Sequence, residues 1–400
     1  MYAIALLHRT LDKRCSEIHA ARLNACYLAV QSLVEGAKAT VTSLGRGLSG
    51  TAYDKHKIKR MDRLLSNQAL HLELITLYSA LANTLLKGML EPVILIDWSP
   101  LCADQSSQLL RAAIPVGGRS LTLYEEVHPR SKLGNRRIQH QFLHQLAALI
   151  PSHCRPIVVA DSGFRTPFYR YVEKTLQWHW VGRIRSRDFI SFSTAAGQWF
   201  SAKSLYTNAT IKAQCLGQID WVRRNPLASR LIVIRQSRKK RQDLTYSGVA
   251  RRSKQTRSHA GREREPWLLV YSVSLKDRTP KQLVSLYRSR MQIEESFRDH
   301  KAAHYGLAIS QHRNMAENRR AILCLLATLA HFVLWCVGTA GKRTDKARHV
   351  RVNSSSKRAP YSVIFLAKLL INQKQFRLPD KEVIASLHKI KVHAKLAVCC

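Results

Sequence analysis

Acidic residues are scarce in this sequence: Asp and Glu number 26 against 65 Lys and Arg, a formal net charge of +39. Such an excess repels itself in a compact fold, and a polyanion relieves the repulsion. Nucleic acid is the expected partner. A membrane surface is not expected, because no basic amphipathic anchor dominates the chain. Paired cysteines are also missing. The nine cysteines (Cys15, Cys26, Cys102, Cys154, Cys215, Cys324, Cys336, Cys399 and Cys400) form no Cys-x-x-Cys motif. A zinc site is therefore not expected, and the odd, scattered set fits reduced thiols in the cytoplasm. The first residues, Met1 to Arg9, lack a basic n-region and a small-residue cleavage site, so no secretory leader is expected. No apolar run reaches the roughly 20 residues of a membrane span. The longest, from Ala321 to Val337, is interrupted by Thr328 and His331 and reads as a buried core helix. What is present is 46% hydrophobic residues over 400 positions, enough for two or three compact domains.

Periodicity divides the chain. Residues 1–90 read as helices, with Ile4, Leu7, Leu11 and Leu70, Leu74, Leu77 at helical spacing. Between these helices lie a Gly-rich turn, Leu44 to Gly50, and a basic segment, Lys55 to Arg63. A turn followed by a basic helix in so positive a chain suggests DNA binding, with Lys57, Arg60 and Arg63 on phosphates or bases. The same segment also reads as a solvated helix face.

The pattern changes at residue 91. Val93 to Ile96 is a short apolar strand ending at Asp97. Leu109 to Val116 and Ser120 to Val127 flank Gly117-Gly118 and read as a hairpin. Ile138 to Ile150 reads as a helix and Pro156 to Ala160 as a second buried strand, ending at Asp161. A helix from Pro167 to Leu176 and a strand from Trp178 to Ile184 follow. Three strands, helix, strand, helix, strand is the order of a mixed α/β sheet of the ribonuclease-H-like kind. From Asp188 to Ser274 the texture is strand-like and basic, with Arg238 to Arg241 and Arg251-Arg252 in a basic loop. Helices resume at Lys281. A basic linker, Lys342 to Lys357, precedes a last helix near Tyr361 to Ile371 and a basic tail.

The chemistry concentrates in Tyr287-x-x-Arg290-x-x-x-Glu294-x-x-x-x-x-x-Lys301. At about 100° per residue these four positions share one helix stripe. On spacing alone, Arg290 and Glu294 could equally be an ordinary ion pair on a wet helix face. Asp97 and Asp161 at strand ends could each be a turn former. Together with Glu294 they make a hard oxygen set suited to Mg²⁺ or Mn²⁺. Two such ions would serve phosphodiester cleavage and strand transfer.

The signature resembles that of the insertion-sequence-four family of bacterial transposases, which includes the transposon-ten and transposon-five enzymes. The resemblance extends through Tyr287 to Lys301, Val158 to Phe164 and Leu95 to Trp98, and is closest to the transposon-ten branch. It implies that Asp97, Asp161 and Glu294 are the metal-binding catalytic triad. It implies that Tyr287, Arg290 and Lys301 hold phosphates of the transposon end. It also implies an aromatic residue stacking on a flipped base during hairpin formation. Trp267 matches that position best, against the plainer reading of a strand Trp in a core. His300 stands where an apolar residue is expected.

The implied architecture is α/β: a helical DNA-binding domain (1–90), a ribonuclease-H-like catalytic core in two parts (91–187 and 276–341), a β-rich basic insertion (188–275), and a C-terminal linker and helical segment (342–400) that could serve dimerisation. The implied partners are double-stranded DNA, as terminal inverted repeats and target, and a second copy of the chain on paired ends. Two other readings remain open. One is a structure-specific nuclease on the same fold, against which the long stretch between Asp161 and Glu294 argues. The other is an inactive transposase-derived DNA-binding protein, which would most easily have lost a triad carboxylate.

Overall fold

The computed structural model describes residues 2–236, 249, 253, 265–304, 306–311, 315–350, 352, 361–373 and 378–399. The basic loop read at Arg238 to Arg241 and Arg251-Arg252 lies outside them. The chain is mixed α/β and falls into two compact units: Met1–Arg155 with Ser289–Ala397, and Pro156–Arg288 with Val398–Cys400.

The first unit opens with five helices: α1 (Tyr2–Asp12), α2 (Ala20–Val34), α3 (Val41–Arg46), α4 (Asp54–Leu65) and α5 (Gln68–Leu86). Side-chain caps begin three of them. His19 Nδ1 accepts from Ala21 N, Thr40 Oγ1 from Ser43 N, and Asn67 Oδ1 from Leu70 N, each satisfying an orphan amide of a first turn. Leu44 to Arg46, read from sequence as part of a turn, closes α3 instead. The reason is packing: a Cβ on Gly45 would sit 2.5 Å from the Ile58 Cα of α4, so only glycine allows this approach.

An antiparallel meander follows: β1 (Val93–Pro100), β2 (Ser107–Pro115) and β3 (Ser120–Pro129). Gly117 and Gly118 adopt φ of +79° and +90° in the β2–β3 turn, as the hairpin reading requires. Helix α6 (Arg136–Leu149), capped by Asn135, packs Phe142 on Tyr124 with centroids 5.2 Å apart.

The unit is completed by α9 (Met291–Lys301), α10 (Glu317–Arg343), α11 (Val363–Asn372) and α12 (Asp380–Cys399). Among the described residues two helices, α5 and α10, are long and apolar enough to cross a membrane, but 94% of the most apolar window of α10 is buried inside the protein. The core-helix reading of Ala321 to Val337 therefore holds. The basic tail expected after Ile371 is corrected in part: α12 occupies Asp380–Cys399 and buries Val383 and Ile390, seven residues apart and so on one helix face.

The second unit contains β4 (Ile157–Ala160), α7 (Thr166–Arg170), β5 (His179–Arg183), β6 (Phe189–Phe192), β7 (Phe200–Ser201), β8 (Gln214–Trp221), β9 (Leu227–Ile234), β10 (Trp267–Tyr271) and α8 (Pro280–Ser289). Its strands run in the order β4-β5-β10-β9-β8-β6-β7. β4 and β5 are parallel, and the pairs from β5 onward are antiparallel, so the sheet is mixed. Helix α7 passes into a π turn over Tyr171–Thr175. Its Tyr169 rests on β5, where Gly182 leaves room: a Cβ there would lie 2.3 Å from the Tyr169 hydroxyl. Trp180 and Trp221 close this core around the Tyr169 ring, at 4.6 and 5.7 Å.

Candidate functional site

The 287–301 run is not one helix. α8 ends at Ser289 and α9 starts at Met291, with Arg290 between them in helical conformation. Tyr287 therefore belongs to the second unit, whereas Arg290, Glu294 and Lys301 belong to the first.

α9 has two differently occupied faces. On one, Gln292 Oε1 accepts from the Val116 and Gly118 amides of the β2–β3 turn (3.1 and 3.0 Å). Ser296 bonds Ser120, and Asp299 pairs with Arg119 at 2.5 Å. Burial raises the Asp299 carboxyl against the opposing pull of Arg119. The opposite face, about 180° away at 100° per residue, carries Glu294, Phe297 and Lys301.

Asp97 projects from β1 toward that face. Its Oδ2 accepts from Arg290 Nη1 at 3.2 Å, and the same nitrogen pairs with Glu294 Oε1 at 2.6 Å. One guanidinium thus holds two carboxylates from elements far apart in sequence. Asp97 and Arg290 are largely shielded, at 13% and 14% exposure, whereas Glu294 stays 40% exposed, so the Arg290–Glu294 pair keeps one wet partner. Asp97 lies within its strand and not at the end: β1 continues to Pro100, which pairs with Gln108. The strand outlasts its apolar run because the ladder with β2 satisfies the backbone beyond Asp97.

Lys301 Nζ donates to Ser99 Oγ at 2.5 Å, two residues beyond Asp97 on the same strand. Burial brings its ammonium down to about 8. Arg111 adds to that shift and Asp97 opposes it.

In the second unit Asp161 follows β4 directly, and its Oδ1 accepts from the Gly163 amide at 2.8 Å. A Cβ at Gly163 would come 2.8 Å from that oxygen, so glycine keeps the carboxylate accessible to its own loop. Arg185 Nε secures the loop at Ser162 O, 2.8 Å. Trp267 is half-buried and meets Tyr287 edge to face at 5.2 Å, with the Arg183 guanidinium 6.0 Å from its ring.

On α4, Arg60 and Arg63 are exposed and Lys57 is half-buried, while Met61, Leu64 and Leu65 face inward. The helix is fixed to α10 by Arg319, which pairs with Asp62 at 2.6 Å. Tyr53, 77% exposed, stands at its N-terminus.

Among the described residues no group of three or more His, Cys, Asp or Glu side chains is gathered tightly enough for a metal ion. The donor chemistry nonetheless fits a divalent cation at Asp97 and Glu294: two hard carboxylates already converge on one positive charge, which Arg290 supplies.

Sequence reasoning missed Arg111, Glu125, His300 and His331 as a group. The available signal was an arginine inside an otherwise apolar strand, with a glutamate at the facing hairpin position.

No curated protein matches the chain. A family model, the transposase DDE domain, matches residues 89–332.

Proposed function

Because the chain belongs to the transposase DDE-domain family, whose members are DNA-cleaving and strand-transferring enzymes that bind DNA, we propose that it excises and reinserts an insertion sequence by a cut-and-paste route with a hairpin at the transposon end, as in the transposon-ten branch of the insertion-sequence-four family. The core in this reading is ribonuclease-H-like, and the enzyme works on chromosomal DNA in the cytoplasm as a homodimer on paired terminal repeats.

The observation that supports it most is the meeting of Asp97 and Glu294 on Arg290. Asp97, Asp161 and Glu294 would hold Mg²⁺ or Mn²⁺, two ions in this reading, and the metal would supply positive charge toward an attacking water or 3′-hydroxyl and the leaving oxygen. Arg290 balances the acidic pair and offers a planar fork to a phosphate. Lys301 offers a point charge, and Tyr287 a phenol. Lys57, Arg60 and Arg63 of α4 hold the end DNA, and Trp267 receives the flipped base.

The test is cleavage of a linear DNA bearing the element's own terminal repeat, in Mg²⁺. Asp97→Asn, Asp161→Asn and Glu294→Gln should each bind the repeat and fail to cut it, since an amide keeps the shape but not the charge. A variant that cuts at the wild-type rate removes its residue from the triad.

A further inference from the structure

Arg111 is fully buried in β2, and nothing in the signature explains it. Its side chain pairs with Glu125 of β3 at 2.6 Å, and both are sealed from solvent, at 0% and 1% exposure. Glu125 Oε1 also accepts from the hydroxyls of Tyr78 on α5 (3.0 Å) and Thr328 on α10 (2.7 Å). Arg111 Nη2 lies 3.0 Å from His300 Nδ1, and its guanidinium carbon lies 4.9 Å from the Phe297 ring centroid. His300 Nε2 in turn lies 3.1 Å from His331 Nδ1.

The direction of this chain follows from donor chemistry. Arginine has only donors, so His300 Nδ1 must accept. Its proton therefore sits on Nε2, which donates to His331 Nδ1, leaving the His331 proton on Nε2. Both imidazoles are held neutral: burial pushes them below their ordinary range, His331 to about 3, and the Arg111 charge pushes the same way.

Arg111 also stands directly opposite Asp97 in the β1–β2 ladder. Opposite residues of an antiparallel pair leave the same face of the sheet. The guanidinium therefore sits beside the strand position of Asp97 and under the helix that carries Glu294 and Lys301. It grips that helix at Phe297 and His300.

We propose that Arg111 is a positioning residue that seats α9 on the meander through Phe297 and His300, and thereby sets where Glu294 and Lys301 stand relative to Asp97. This rests on the reading of Asp97 and Glu294 as catalytic. Stability alone does not call for the arrangement. A buried ion pair replaced by apolar residues of similar volume is often as stable or more so. What such a pair adds here is a fixed register between helix and strand.

Two comparisons test it, each with a readout that simple stability does not move. Arg111→Met/Glu125→Leu removes both charges together; it also leaves the Tyr78 and Thr328 hydroxyls and His300 Nδ1 without these partners, so it is assayed as folded protein below its own thermal midpoint. Its cleavage kcat should fall by about 10- to 100-fold, as when outer partners of a ligand set are removed, with a higher Mg²⁺ requirement. His300→Asn keeps an acceptor for Arg111, and His300→Leu does not. Asn should retain kcat within about threefold, while Leu should lose about tenfold or more. A folded double variant cutting at the wild-type rate overturns the proposal. So do Asn and Leu variants of equal stability and equal kcat, which decide the matter if the double variant fails to fold. Cleavage surviving in Glu294→Gln would instead mark failure of the underlying site, a different outcome from cleavage surviving only in the Arg111 and His300 variants.

Discussion

Ser296 and Ser120 are bound to each other through both main chain and side chain. Ser296 Oγ accepts from Ser120 N at 2.8 Å, lies 3.0 Å from Ser120 Oγ, and lies 3.1 Å from Ser120 O. Both residues are 1% exposed. The first residue of β3 and the middle of α9 thus share one buried polar contact. Ser296→Ala leaves the Ser120 amide without that acceptor, and an unsatisfied buried group costs about 1–3 kcal/mol. Urea unfolding should show a destabilisation of that size. A variant as stable as wild type would mean the contact is satisfied by other means.

Arg290 gives a second prediction. Its guanidinium is the positive charge between Asp97 and Glu294. Arg290→Gln removes that charge and leaves the two carboxylates facing each other. A divalent cation then supplies the missing counter-charge, and a ligand that binds the native state raises stability by mass action. The thermal midpoint of Arg290→Gln should therefore respond to Mg²⁺ more strongly than wild type, in the absence of DNA. Equal responses would show that Arg290 does not compete with the cation.

The residues that the sequence made legible are those whose partners are near in sequence or periodic. Gly117-Gly118 marked the hairpin because only a positive φ closes so tight a turn. The spacing of Arg290 and Glu294 marked their ion pair because four residues are about one helical turn. The buried run of α10 marked itself by length and composition. Arg290's second partner was not legible in that way, since Asp97 lies in another element of the chain and nothing local encodes the pairing. The same holds for Arg111 with His300. Its significance is tertiary, and His300 read alone is only an unexpected polar residue before Lys301. The break between α8 and α9 also escaped the pattern, because no proline or glycine announces it and Arg290 itself remains in helical conformation.

The α4 assignment is testable through salt. Removing one cation that neutralises a phosphate should reduce the slope of log affinity against log salt by about 0.9. Lys57→Ala, Arg60→Ala and Arg63→Ala, made singly in the full chain, should each flatten the slope for terminal-repeat DNA by roughly that amount. The inward side chains Met61, Leu64 and Leu65 are untouched, so the fold should hold. Unchanged slopes in all three variants would move end recognition away from α4.

Trp267 separates two roles by reaction step. Its ring rests edge to face on Tyr287, and an aromatic pair of this kind is worth about 0.5–1.5 kcal/mol beyond its burial. A Trp267→Ala protein should therefore be somewhat less stable in any case. If the ring also receives a flipped base, it returns about 1–3 kcal/mol of stacking at that step alone. First-strand nicking should then proceed normally while hairpin formation or resolution slows, with Trp267→Phe milder. Hairpin kinetics unchanged in a folded Trp267→Ala protein would leave the ring as packing only.

The proposed phosphate contact of Lys301 should make end binding sensitive to pH in the mildly alkaline range. Burial brings its ammonium down to about 8, with the nearby Arg111 charge acting in the same direction and Asp97 against it. In the proposed contact the charged form is the one that would hold phosphate. As pH rises through about 8 in the free protein, the lysine loses its proton and end-DNA affinity should fall. For folding the sign is opposite: an ammonium depressed in the native state means the unfolded chain binds the extra proton, so this group's contribution to stability rises with pH over the same range. Deprotonation of Lys301 itself therefore does not loosen the fold there. Lys301→Arg keeps its charge throughout, because a guanidinium does not deprotonate in this range. Binding titrations from pH 7 to about 9.5 should show a decline in wild type that is flattened in Lys301→Arg, with circular dichroism unchanged in both. A wild-type decline reproduced in full by Lys301→Arg would assign the titration to another group and remove Lys301 from the phosphate contacts that change with pH.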